Sequence, residues 1–228
     1  MQHAGRKTLD QLTQSNDLAV KRQATWGMSV HTNDVLVTRI DCVLTQIVPT
    51  SLPEVLILAP RRFGDARGWF SETWNRATLI AAGCDLPDFV QDNHSFSAQP
   101  GTLRGLHYQR PPHAQAKLVR CSRGAILDVA VDIRRGSPRY GQWVGVELSA
   151  ENAQQLFVPA GFLHGFITRT PDCEVQYKCS DIYAPDCDGA VRWDSLGIDW
   201  GFDAPVLSDK DAAAPAFADF TTPFTYDG

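Results

Sequence analysis

No stretch of this 228-residue chain is long and apolar enough to span a bilayer. The opening "MQHAGRKTLDQLTQSND" lacks the apolar core of a secretory leader. The six cysteines, at 42, 84, 121, 173, 179 and 187, include no CxxC pair. Without an export signal, separate reduced thiols are expected, and with them a cytoplasmic location. Positive charge is not in excess. Twenty-one lysines and arginines face 26 acids, for a net charge of -5, which argues against a nucleic-acid binder. A few local arginines could still hold one anionic small molecule. Neither GxGxxG nor GxxxxGK[ST] occurs, so the phosphate loops of the α/β nucleotide folds are missing. There is no internal repeat and no low-complexity tract.

What is present is a chain 43% hydrophobic, enough for one domain with a sizeable core. Residues 1–50 are polar and mixed and read as an N-terminal extension; residues 51–228 read as the domain. "EVLILAP" is a short apolar run stopped by Pro60, and "RRFGDARGW" is a turn rich in glycine and charge. "SETWNRATLIAAG" reads as one helix or helical turn ending at Gly83. In "AILDVAVDIR", Ala125, Leu127, Val129, Val131 and Ile133 share one face and Asp128 and Asp132 the other, the pattern of a half-buried strand. Arg123-Gly124 falls between two such runs, as in a hairpin. "GQWVGVELS", "QQLFVPAGFLHGFIT" and "EVQYKCSDIY" extend the series. Short strands at regular spacing predict an all-β sandwich or barrel.

The same alternation locates candidate chemistry. In "EVQYKCS", Tyr177 shares a face with Val175 and Cys179 and points inward. In "LRGLHYQ", Leu103, Gly105, His107 and Gln109 share a face. Arg104 has the other parity and reaches the same pocket only if Gly105 makes a bulge. A lone inward histidine is ordinarily a hydrogen-bonded core residue, and a lone lysine such as Lys117 ordinarily lies in solvent. His113, beside two prolines, reads as a loop residue.

Three readings fit these residues. "PAGFLH" matches PxGxxH, half of the cupin metal signature, with His164 as its histidine. The other half is broken: the stretch from His107 offers Gln109 and then Lys117, a cation that repels a divalent metal. No metal and no cofactor are therefore expected. A non-catalytic sugar-binding barrel would have no use for His107, Lys117 and Tyr177 together. Proton abstraction beside a carbonyl uses all three: imidazole as base, ammonium on the enolate oxygen, phenol as acid on the opposite face.

From about residue 55 to residue 215 the chain resembles the dTDP-4-dehydrorhamnose 3,5-epimerase family, a cupin-like jelly-roll barrel with a few short helices. The stretches that carry the resemblance include "FGDARGWFSETWN", "FVQDNHS", "LRGLHYQ", "AQAKLVRCSRGAILDVAVDIRRGSPRYGQWVGVELSAEN", "QLFVPAGFLHGF", "YKCSDIYAP", "RWDSLGIDW" and "LSDKDAAAP". The resemblance implies His107 as base, Asp211 as its carboxylate partner, Lys117 at the carbonyl oxygen and Tyr177 as acid. It implies substrate contacts at Phe63, Arg67, Glu72, Gln91, Asn93, Arg104, His164, Asp188 and Lys210. It also implies a homodimer acting on a dTDP-4-keto-6-deoxy-hexose, in rhamnose biosynthesis, by inversion at carbon 3, carbon 5 or both. Three positions depart from the family pattern: Ala116 for glycine, Ile182 for a second tyrosine and Asp188 for glutamate. Ala116 is expected to crowd the loop before Lys117, and Ile182 to remove a ring and hydroxyl from the pocket.

Overall fold

Short alternating runs cut by glycine and proline fold as thirteen strands in the computed structural model, which describes residues 44–228. Six form one sheet in the order β1 (Thr45–Pro49), β2 (Leu56–Pro60), β10 (Gln155–Val158), β7 (Lys117–Arg123), β12 (Cys173–Cys179), β5 (Gln91–Ser97). Five form the other: β13 (Asp188–Ala190), β6 (Leu103–Gln109), β11 (Phe162–Thr168), β8 (Ala125–Asp132), β9 (Trp143–Ser149). A separate hairpin joins β3 (Phe63–Asp65) to β4 (Gly68–Phe70). Pairing within both sheets is antiparallel. The two sheets face each other as a cupin-like jelly roll, the all-β class expected. Of the expected extension, residues 1–43 lie outside the described residues; Thr45–Pro49 forms β1.

Side chains from both sheets meet in the middle. Val119 and Cys121 of β7 and Val175 of β12 pack with Ile126 and Ala130 of β8 and with Phe162 and Phe166 of β11. The outer face of the six-stranded sheet is covered by α1 (Arg76–Ala81) and the chain after it, through Leu79, Cys84 and Leu86 on Leu58, Leu118 and Phe157. The helix starts where the Asn75 side chain accepts the Thr78 N–H at 3.3 Å. It is followed by Gly83 at φ +81°, as its sequence predicted.

Two local expectations are corrected. Strand β8 is buried on both faces, not one. Val129, Val131 and Ile133 lie under Ile198, Trp200 and, farther on, Phe217, Phe220 and Phe224 of the C-terminal segment. Asp128 and Asp132, on the supposed polar face, are fully buried. Period-two alternation locates the faces but cannot tell which one a distant segment will cover. Gly124, expected in a hairpin, instead turns the chain from one sheet to the other, since β7 and β8 belong to different sheets. At φ +78° a Cβ there would meet Thr170 Oγ1 at 2.5 Å, so the corner needs glycine.

Candidate functional site

The site begins with a bulge. Across β11 and β6, His164 stands opposite His107, but Phe166 stands opposite Arg104. Strand β6 thus carries one extra residue between two pairs. The surplus is taken up at Gly105, at φ +127°, where a Cβ would lie 2.7 Å from Gly165 Cα. The bulge turns Leu103 and Leu106 to the outer cluster and directs both Arg104 and His107 into the space between the sheets. The conditional expectation for Arg104 is met. The expectation that Leu103 and His107 share a face is not, because the extra residue inverts the parity between them.

The space is a cavity in two adjoining lobes of about 380 and 340 Å³, which share His107, Lys117, Tyr177 and Lys210. One lobe adds Arg104, His164 and Asp211; the other adds Gln91, Asn93 and Asp188. The imidazole and the phenol of the sequence argument therefore line the same cavity.

His107 Nε2 lies 2.6 Å from Asp211 Oδ1. The carboxylate comes from α2 (Asp209–Ala212), whose first turn is capped when the Ser208 hydroxyl accepts the Asp211 N–H at 3.1 Å. Burial pushes the Asp211 carboxyl up, but hydrogen bonds and charge from His107, with help from Ser208 and the Gly105 N–H, outweigh it and hold the carboxyl below its usual range. Beside this pair sits a second: His164 Nε2 is 2.7 Å from Asp128 Oδ1, both residues buried, with Asp128 Oδ2 left without a partner. Lys117 enters from β7 and makes no ion pair among the described residues. Burial pulls its ammonium below the usual lysine range. Burial pushes the Tyr177 phenol up, so it stays protonated at neutral pH.

The second lobe is held by a polar lattice. The Gln91 amide donates to Asn93 Oδ1 at 3.1 Å and its carbonyl accepts the Tyr183 N–H at 2.8 Å. Tyr183 donates its hydroxyl to Asp188 at 3.2 Å, and the Lys210 ammonium bonds the same carboxylate. Sequence reasoning missed Tyr183, although it stands next to the residue singled out. The Ile182 side chain is exposed, and its backbone is held at both ends, the N–H donating to Asp181 Oδ1 at 2.7 Å and the carbonyl accepting from Gln109 at 2.9 Å. Tyr183 places an aromatic ring and a hydroxyl in this lobe. Ala116 does not crowd the site: it packs in the outer cluster with Leu79 and Leu118, its N–H held by the Ser180 hydroxyl at 2.8 Å.

Three expected contacts lie elsewhere. Glu72 accepts from Asn75 and Thr78 at 3.0 and 3.1 Å and lines a different hollow. Phe63 and Arg67 sit on the β3–β4 hairpin, where the Arg67 side chain is 90% exposed and bonds only Asp65.

Among the described residues no three His, Cys, Asp or Glu side chains converge as metal ligands. The cavity instead combines an imidazole oriented by a carboxylate, a desolvated ammonium and a protonated phenol. That set can remove a proton next to a carbonyl, hold the resulting oxyanion and return a proton.

The model of the dTDP-4-dehydrorhamnose 3,5-epimerase family matches residues 49–219. The chain is 51% identical over 172 residues to the dTDP-4-dehydrorhamnose 3,5-epimerase of Salmonella typhimurium, covering 74% of this chain and 93% of that one. It is similar to the crystal structure of the dTDP-6-deoxy-D-glucose-3,5-epimerase of Legionella pneumophila in complex with dTDP-4-keto-L-rhamnose. There the TM-score is 0.76 and the identity 41%, over 81% of this chain and 100% of that one. It is also similar to a 3'-monoepimerase from Streptomyces bikiniensis in complex with dTDP-quinovose, with TM-score 0.69 and 38% identity, over 75% of this chain and 87% of that one.

Proposed function

Because the chain belongs to the dTDP-4-dehydrorhamnose 3,5-epimerase family, we propose that it inverts carbons 3 and 5 of dTDP-4-dehydro-6-deoxyglucose to give dTDP-4-dehydrorhamnose. The observation that carries the reading is the shared cavity of His107, Lys117 and Tyr177. The 4-keto group acidifies the hydrogens on both neighbouring carbons. The His107 ring nitrogen not engaged by Asp211 takes one of them, leaving an enolate. Lys117 donates a hydrogen bond to the enolate oxygen, and the charge it stabilises is the one that develops in the transition state. Tyr177 returns a proton from the opposite face, and solvent restores the proton balance of His107 and Tyr177 before the second carbon reacts. Asp211 fixes the imidazole and stabilises its cation.

Arg104, Gln91, Asn93, Asp188, Lys210 and His164 hold the rest of the substrate, so remote binding can position the ring. Phe63, Arg67 and Glu72 line no part of this cavity. A homodimer that brings the exposed hairpin of one copy to the cavity of the other would give them their role. Its aromatic surface supports that assembly, with Trp69 61% and Phe70 69% exposed. The five described cysteines are buried free thiols, which supports a reducing, cytoplasmic setting.

Incubation with dTDP-4-dehydro-6-deoxyglucose in heavy water tests the reading. Deuterium is expected at carbons 3 and 5. Exchange at one carbon alone reassigns the protein as a single-position epimerase, and exchange at neither overturns the proposal.

A further inference from the structure

Tyr183 reaches the second lobe from a stretch that has left the sheet. Strand β12 ends at Cys179, and residues 181–184 lie outside any strand. An irregular backbone still needs partners for its N–H and carbonyl groups, and here side chains supply them. The Gln115 amide donates to the Asp181 carbonyl at 2.8 Å, and Asp181 Oδ1 accepts the Ile182 N–H at 2.7 Å. Gln91 accepts the Tyr183 N–H at 2.8 Å. Gln109 holds the positions on either side of Tyr183. Its amide donates to the Ile182 carbonyl at 2.9 Å, and its oxygen accepts the Ala184 N–H at 2.9 Å. The same amide also donates to the His113 carbonyl.

Gln109 is thus used to capacity. Both of its N–H groups and its oxygen are engaged, by backbone atoms of two separate segments, and the residue is only 5% exposed. It ends β6, two residues beyond His107, and lines the same lobe as Tyr183. Tyr183 itself is exposed and belongs to none of the buried clusters, so its place depends on the backbone that carries it. The reacting groups are anchored elsewhere: His107 by Asp211, and Lys117 by the pairing of β7 with Val158 and Cys179.

We propose, resting on the epimerase reading of this cavity, that Gln109 is a positioning residue for the substrate. By bracketing Tyr183 it sets the shape of the second lobe, and with it the affinity for the nucleotide sugar, without taking part in proton transfer. A side chain that only completed the fold would cost stability alone. One that acts through Tyr183 shows in binding and ceases to matter once the Tyr183 ring is removed.

Steady-state kinetics with dTDP-4-dehydro-6-deoxyglucose, beside a thermal melt of each variant, test the assignment. Gln109→Met is similar in size and removes all three bonds. It should raise KM about tenfold or more, while kcat stays within about threefold. Tyr183→Ala should raise KM as well, and adding Gln109→Met to it should raise KM by less than about twofold further. Gln109→Glu keeps the acceptor for Ala184 and loses both donors; it takes the place of Gln109→Met if that protein does not fold, with the same expectation. An unchanged KM in the folded variant, a kcat that falls as KM rises, or full additivity with Tyr183→Ala overturns the inference and leaves the epimerase reading intact. Failure of both Gln109 variants to fold makes it a residue of the fold alone and likewise overturns the inference. Absence of turnover by the unaltered protein overturns both.

Discussion

Replacing Asp211 with asparagine isolates the charge behind the proposed base. The substitution keeps the size of the side chain and leaves the Ser208 cap, which uses the backbone N–H, untouched. It removes the negative charge 2.6 Å from His107 Nε2. That charge matters most when the imidazole carries the abstracted proton. Two unit charges about 4 Å apart attract by about 4 kcal/mol at an effective dielectric of about 20, which corresponds to about three decades of rate. The His107 side chain is 31% exposed, so solvent screens part of the attraction. The expected loss in kcat is therefore about 10²- to 10³-fold, with KM nearly unchanged because Asp211 acts through His107. The assay is the initial rate of deuterium entry from heavy water at carbons 3 and 5, read by proton NMR, beside a thermal melt showing that the fold is kept. A folded Asp211→Asn protein that exchanges within threefold of the original rate would refute the assignment of the pair.

Five further outcomes follow from the geometry. Tyr177→Phe should still wash deuterium into the substrate while failing to invert it fully; complete inversion at the normal rate would remove the phenol from the mechanism. Lys117→Met should lower the rate by about 10²-fold or more. In the unaltered protein the alkaline limb of the rate should fall below the ordinary lysine range near 10.4, because burial disfavours the ammonium; a limb above that range contradicts it. Gly105→Ala places a methyl 2.7 Å from Gly165 Cα at a φ of +127°. Strain and overpacking together should cost about 2–4 kcal/mol, visible as a lower urea midpoint with an unchanged slope. Burial raises the Asp132 carboxyl, but Arg134 at 2.7 Å and Ser137 at 2.6 Å lower it by more, so its native value lies below the unfolded one. Its stabilisation is complete above the unfolded carboxylate range near 3.9 and is lost as pH falls through the lower native value. Asp132→Asn should flatten that acid fall in melting temperature; an equally steep fall means the network contributes nothing to it.

The barrel was legible because its strands alternate and its turns carry glycine, and the inward placement of Tyr177 followed from parity alone. His107 and Arg104 were legible only conditionally. Parity contradicts their sharing a cavity until Gly105 absorbs a residue, and a bulge leaves no mark on composition beyond the glycine itself. Asp128 was visible but assigned to solvent, since nothing local announces that residues 191–226 will cover the far face of β8. Tyr183 was hidden by attention to its neighbour: adjacent residues on an irregular segment have no fixed parity, so which of Ile182 and Tyr183 enters a pocket is set by Gln91 and Asp188, far away in sequence. Phe63 and Arg67 were placed by resemblance and not by strand parity, and the hairpin that carries them stands apart from both sheets.

His107 and its carboxylate are separated by 104 positions along the chain. The carboxylate also rides on the same C-terminal stretch that roofs the five-stranded sheet. A polypeptide cut short before that roof would retain imidazole, ammonium and phenol yet lack the group that orients the imidazole, and its β8 would present bare aliphatic side chains to water. Competence for chemistry and completion of the wall thus depend on the same C-terminal stretch.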